Sequence, residues 1–155
     1  MRKQILQLGL ALAMGVGCIS QAFSQVKPEI LVEQRHAGMV MMAKYMYSIV
    51  PMAMGRVPYD AATVTRNVGY LEVLSKMPWD GFTPATADVK NTKALPAIYA
   101  DPAKFKAAQD NFQAELAKLI AATKGGNEAA IKTAIVDANT KGCNGCHNDF
   151  RAKQQ

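Results

Sequence analysis

Near its C-terminus the chain reads Cys143-Asn144-Gly145-Cys146-His147. Two thiols three residues apart, with an imidazole directly after the second, carry the spacing of covalent c-type haem attachment. That chemistry needs two S–H groups to add across the two vinyl groups of haem. It also needs an imidazole beside the second thioether, placed under the iron as its proximal ligand. On a helix, positions 143, 146 and 147 share one face, so a flat porphyrin along that face meets all three. Gly142 and Gly145 cost helix stability relative to alanine, yet without side chains they let a large planar group approach the backbone. The competing uses of such a pair are a redox-active couple, a structural disulfide and half of a zinc site. A redox couple wants a βαβ context, which is absent. Zinc wants more soft ligands, and beyond residue 24 the chain has only these two cysteines and two histidines, His36 and His147. A disulfide across two intervening residues closes too small a loop to contribute much.

The third cysteine, Cys18, belongs to a different feature. Met1-Arg2-Lys3 is a short basic head, followed by an apolar run from Leu8 to Ile19 and small residues around Ala22-Phe23-Ser24. This is the layout of a cleaved secretory signal over residues 1–24, and it predicts export to the periplasm. Gln4 and Gln7 leave the apolar run too short to serve as a membrane anchor. Gly15 stands where a lipoprotein signal wants a leucine-like residue, which argues against lipidation of Cys18. Cleavage removes Arg2 and Lys3 from eighteen basic residues and none of the twelve acidic ones, leaving a net charge of +4. It also leaves two cysteines, both in the one motif.

The elements that must position that motif are helical. Half of the 155 residues are hydrophobic and 19% are charged, which excludes a disordered tail and a polytopic membrane protein. From residue 27 onward there is no strand-like alternation and no internal repeat. A first helix is predicted from Pro28 to about Gly55, with Leu31, Gly38, Met39, Met42, Met46 and Ile49 on its apolar side. Pro51 is expected to kink or end it. A second starts behind Asp60 as N-cap and runs through Val64, Val68, Leu71 and Leu74 to Met77. A third opens at Asp101-Pro102, carries Phe105, Ala108, Phe112, Leu116, Leu119 and Ile120, and stops at Gly125-Gly126. A fourth begins near Asn127, turns Ile131, Ile135 and Ala138 inward, and runs to about Lys153. Four amphipathic helices with mostly short links predict one all-α domain over residues 25–155, an antiparallel four-helix bundle with covalently attached haem c. The long link between Pro78 and Pro96 is the exception, and long links in compact domains are often functional.

With those elements in place, the chain resembles the class II c-type cytochromes, and among them cytochrome c′. The resemblance rests on the C-terminal position of the haem motif and on Lys27-Pro28-Glu29, Pro58-Tyr59-Asp60-Ala61-Ala62, Met77-Pro78-Trp79-Asp80-Gly81-Phe82 and Asp101-Pro102-Ala103-Lys104-Phe105. The tail Cys-x-x-Cys-His-x-x-Phe-Arg completes it, and the likeness covers roughly residues 27–152. It implies a left-handed antiparallel bundle with haem near one end, and a homodimer packed through helices one and two. It implies Cys143 and Cys146 as haem anchors, His147 as fifth ligand of the iron, and Arg151 beside the proximal face. Arg35 matches an arginine that pairs with a haem propionate. His36 stands where relatives often have a glutamine at the haem edge, and a surface role is equally open to it. Trp79 and Phe82 match pocket walls, a place that ordinary core aromatics also fill.

Met39 matches the distal position over the iron. Relatives with a Leu, Phe or Tyr there have five-coordinate iron, whereas low-spin relatives place a ligating methionine. Both states are open on the sequence: Met39 as a lid over a vacant site, or Met39 as sixth ligand. The first goes with binding of small diatomics such as nitric oxide and carbon monoxide, the second with electron transfer alone. An enzyme such as a peroxidase wants a distal acid–base group, and the methionine-rich first helix offers none except His36, so no enzymatic activity is expected. Nucleic acid is not an expected partner either, because the lysines are spread over loops and several helices instead of forming one stripe. They suit the steering of an acidic redox partner.

Overall fold

The computed structural model describes residues 26–153. The export signal read over residues 1–24 lies outside the described residues. The first helix, α1, spans Pro28–Ala53, with proline at its opening turn where a missing N–H is harmless. Pro51 sits inside the last turn, and the helix ends two residues beyond it. There the Met54 and Arg56 amides close onto the Val50 and Pro51 carbonyls at 3.0 and 2.9 Å.

Helix α2 spans Ala61–Leu74, and the Asp60 carboxylate accepts from the Thr63 amide at 2.6 Å, as a capping aspartate should. It stops short of Met77. The Ser75 carbonyl is taken by Trp79 Nε1 at 2.6 Å and by Gln113 Nε2 at 2.8 Å, and Pro78 has no N–H to extend the helical ladder. The long link that follows is ordered into two 3-10 turns, Trp79–Gly81 and Pro84–Thr86, and a one-turn helix α3, Ala97–Ala100.

Helix α4 spans Pro102–Gly125, capped by the Asp101 carboxylate on the Lys104 amide at 2.9 Å and ended by Gly126 in the left-handed region at φ +73°. The predicted fourth helix is three pieces in one rod. They are α5 over Glu128–Asp137, a π-helical turn over Ala138–Cys143, and α6 over Asn144–Phe150. It ends at Phe150 instead of Lys153 because the chain there pairs with the link. Ala94 and Arg151 form an antiparallel bridge, the Leu95 amide donates to the Phe150 carbonyl at 3.0 Å, and the Ala152 amide to Lys93 at 2.8 Å.

Helix α1 packs on α2 and α5, and α4 packs on the same two, which closes a four-helix bundle with the composite rod as its fourth member. Short links force α1 and α2, and α4 and α5, to run antiparallel. The core is Met46, Ile49, Val64, Val68, Leu71, Leu116, Leu119, Ile131 and Ile135, all buried. Among the described residues no helix is long and apolar enough to cross a membrane.

Candidate functional site

Toward one end the four helices part around a cavity of about 410 Å³. All nine site residues singled out in the sequence line it: Arg35, His36, Met39, Trp79, Phe82, Cys143, Cys146, His147 and Arg151. Three structural units converge there. Helix α1 supplies Arg35 to Tyr47 along one wall, the long link supplies the aromatic and polar rim, and the π turn with α6 supplies the thiols and the imidazole.

The motif wall is built for neutral ligands. Burial pushes the Cys143 thiol up to about 11, and burial together with the nearby Asp149 carboxylate does the same for Cys146. Both are therefore S–H groups at neutral pH. A redox-active pair shows the opposite, a thiolate stabilised by its surroundings. The His147 imidazole is pulled down to about 4, first by burial and then by the positive charge of Arg151, so it too is neutral. Its Nδ1 is buried with no hydrogen-bond partner. Gly142 lines the cavity beside the two cysteines and also faces α4. A Cβ there would stand 3.4 Å from Phe112 and 3.5 Å from the Glu115 side chain, ordinary contact distances, so the π turn packs on α4 without requiring glycine at this position.

Arg35 is the least expected environment in the molecule for a cation. It is only 3% exposed, and its guanidinium lies 4.5 Å over the Phe82 ring. Nη1 donates to the Gly81 carbonyl at 2.7 Å, Thr86 Oγ1 at 2.9 Å and Tyr99 OH at 3.0 Å, and Nη2 donates to Thr92 Oγ1 at 3.1 Å. Every one of these acceptors is neutral. Gly81 must be glycine for this, since a Cβ would come within 2.8 Å of both the Arg35 side chain and the Leu31 carbonyl. A buried cation held by dipoles alone is costly until an anion joins it, and a carboxylate on a cavity-filling group supplies one.

The rest of the wall is aromatic and aliphatic. Trp79 stands 6.1 Å from Phe82 and 5.9 Å from Phe112, and Phe105 bridges Phe82 and Phe150 at 5.0 and 5.1 Å between ring centroids. Met39, half-buried, and Met42 and Met46, buried, face the cavity from α1. His36 and Arg151 are exposed at its rim. Among the described residues no group of three His, Cys, Asp or Glu is arranged to hold a bare metal ion.

Sequence reasoning missed Thr86, Thr92 and Tyr99, the hydroxyls that hold Arg35. They lie 51 to 64 residues away along the chain in a polar link without periodicity, so no local pattern marks them. Phe105 and Phe112 were legible as an apolar stripe, though not as cavity wall. Taken together, the cavity offers two neutral thiols, an unpartnered buried imidazole nitrogen, a buried guanidinium awaiting an anion, and aromatic walls. That donor set fits a planar, carboxylate-bearing porphyrin.

A family model described as cytochrome c′ matches residues 31–151. Cytochrome c′ of Rubrivivax gelatinosus is 38% identical over 127 residues, covering 82% of this chain and 98% of that protein. Its crystal structure superposes with a TM-score of 0.76, over 81% of this chain and 97% of that one. Two solved structures from Alcaligenes xylosoxidans are also similar, each 36% identical and covering 83% of this chain and 98% of theirs. One is the nitric oxide complex of a leucine-to-alanine variant, at a TM-score of 0.75. The other is the carbon monoxide complex of a leucine-to-glycine variant, at 0.74.

Proposed function

The chain belongs to the cytochrome c′ family and its cofactor is haem c; from that premise we propose a periplasmic haem protein that exchanges electrons and takes small diatomic ligands, nitric oxide foremost. Haem supplies an iron that alternates between ferric and ferrous states and coordinates such ligands. The chain's own residues do the rest. The Cys143 and Cys146 thiols would hold the haem, each by addition of S–H across a vinyl double bond, sulfur to one carbon and hydrogen to the other, with no leaving group. His147, neutral and with its Nδ1 unpartnered, would ligate the iron, and Arg151 lies beside it on the cavity wall. Arg35, locked by Thr86, Thr92, Tyr99 and the Gly81 carbonyl, would pair with a propionate.

The observation that carries the gas-binding reading is the character of the α1 wall. Met39, Met42, Ala43 and Met46 present no acid, base or nitrogen ligand to the cavity, and the one imidazole of that wall, His36, is exposed at its rim. A small apolar molecule enters the methionine stretch without leaving a polar group unpaired, and proton-transfer catalysis would have only the rim imidazole of His36 to use. Binding and electron transfer without enzymatic turnover therefore fit it best. The second reading makes Met39 the sixth ligand, favoured by its half-buried place on the cavity wall one turn from Arg35. Ferric and ferrous optical and EPR spectra of the mature protein, with and without nitric oxide and carbon monoxide, separate the two. A low-spin spectrum that neither gas moves sinks the gas-binding reading. Under the ligating reading Met39→Leu converts the iron from six- to five-coordinate, and under the lid reading it leaves coordination unchanged.

The partner closest to hand is a second copy. Val40, Met41, Tyr47, Tyr70, Val73 and Met77 are exposed on or just beyond α1 and α2. An apolar face of that extent suits a homodimer packed through those helices. Sedimentation of the mature protein tests it, and a monomer at micromolar concentration overturns it.

A further inference from the structure

The composite fourth helix carries two faces that do not share one helical phase. Ile131, Ile135 and Ala138 set the core-facing direction of α5, and all three are buried. At about 100° per residue, an uninterrupted α-helix would swing Cys143 about 110° and His147 about 150° from that direction. The imidazole would then point nearly away from the core. The observed chain does not do this, because Ala138–Cys143 is a π turn, closed by i→i+5 bonds and therefore holding one residue more than an α turn. Subtracting that residue puts Cys143 and Phe150 within about 15° of the core-facing direction, with Cys146 and His147 about 50° to either side. The four side chains become centred on the cavity, and Phe150 is buried accordingly.

Two contacts hold the turn from α4. Asn111 Nδ2 donates to the Lys141 carbonyl at 2.9 Å, inside the stretch where the regular ladder is broken. Gly142, buried, backs onto Phe112 and Glu115 of α4, which an added Cβ would meet at 3.4 and 3.5 Å. We propose that this π turn is a register device: its one extra residue, held by Asn111, turns Cys143 and His147 from the flank and outer face of the fourth helix toward the haem cavity and centres them there with Cys146, which lies about 50° from the core-facing direction in either register. Asn111 is then a positioning residue that touches neither haem nor iron. The inference rests on the haem reading above.

The test shifts the register by one residue in each direction, in full-length protein exported from a host that matures c-type cytochromes. Deleting Thr140, exposed in the turn, leaves a continuous α-helix with the motif still on the cavity. This variant is expected to keep its covalent haem and a wild-type ferric spectrum. Inserting one alanine after Thr140 turns Cys143 and His147 away from the cavity, leaving only Cys146 near it, and is expected to lose the doubly attached haem and its imidazole ligand. A deletion variant that folds by circular dichroism and lacks haem overturns the register, as does an insertion variant that keeps the doubly attached haem. Wild-type protein without covalent haem overturns the haem reading itself, an outcome visible before any variant is made.

Asn111→Leu supplies a test that does not depend on tolerance of a length change. It should shift the midpoint potential and the ferric spectrum at unchanged haem content, because it frees the turn that aims His147. In the Thr140-deleted background, with no π turn to hold, the same substitution should move neither. Equal shifts in both backgrounds would mean that Asn111 acts on packing generally, and would overturn its assignment.

Discussion

The two ends of the bundle are built by different means. Outside the cavity lining, Ile49, Val64, Leu119 and Ile135, one from each helix of the bundle, are fully buried in a single apolar cluster. Nothing is missing there, and the cluster is complete from the chain's own side chains. At the other end the helices hold a cavity. Its lining includes half-buried Met39, Trp79, Cys143, Cys146 and His147, a buried cation with only neutral partners, and a buried imidazole nitrogen with none. The closed end stabilises the fold, and the open end spends some of that stability holding groups ready for a cofactor.

This contrast sets the size of mutational effects. The largest belongs to the closed end. Ile49→Ala leaves a void that neighbours on three helices cannot fill, and should lower stability of the holoprotein by about 2–5 kcal/mol in denaturant unfolding. Met39→Ala at the open end borders a space that already exists and should cost clearly less, with its effect read in the spectrum of the iron instead. Equal losses at both positions would mean that the cavity end is as tightly built as the core.

Next comes Arg35→Gln. It removes the donor shared by the Gly81 carbonyl, Thr86, Thr92 and Tyr99, groups drawn from both 3-10 turns, the loop after them and α3. Leaving these acceptors under-satisfied should cost about 1–3 kcal/mol in the same unfolding assay. It should also shift the midpoint potential, because a cofactor carboxylate loses its cation. A stability loss with an unmoved potential would confine Arg35 to bracing the link.

The same contrast explains what was legible in the sequence. The closed end follows from periodicity: Ile49, Val64, Leu119 and Ile135 each fall on a 3.6-residue stripe, and Asp60, Asp101 and Asn127 cap their helices by local rules. The motif was legible because its chemistry fixes five consecutive residues. Three things were not. The hydroxyl cage around Arg35 joins residues more than fifty positions apart, which no local pattern records. The end of the fourth helix at Phe150 depends on backbone pairing with Ala94, which either strand residue type would permit. The π turn hid in a phase slip, since the stripe through Ile131, Ile135 and Ala138 does not continue onto Cys143 and His147 at 3.6 residues per turn. That slip is a signal that sequence alone contains, and it marks where the two ends of the molecule are joined.

The smallest effect concerns an exposed contact at the open end. Lys104 Nζ, at the start of α4, lies 2.8 Å from the Asp149 carboxylate, two residues beyond His147, and 5.9 Å over the Phe150 ring. The hydrogen bond and charge of Asp149 hold the ammonium above its ordinary value of 10.5. A lysine raised on folding contributes its full stabilisation below the unfolded value and loses it as pH climbs through the folded one. The contribution should therefore be level at neutral pH and fade only above about 10.5. Both partners are solvent-exposed, so salt should weaken the pair throughout. Lys104→Met should leave the unfolding midpoint almost unmoved at pH 7 and narrow its gap to wild type further at alkaline pH or in high salt. The spectrum of the iron should not respond at all. A changed ferric spectrum in this variant would mean that the pair helps to aim α6, and that the open end is held at its rim as well as by the turn beneath it.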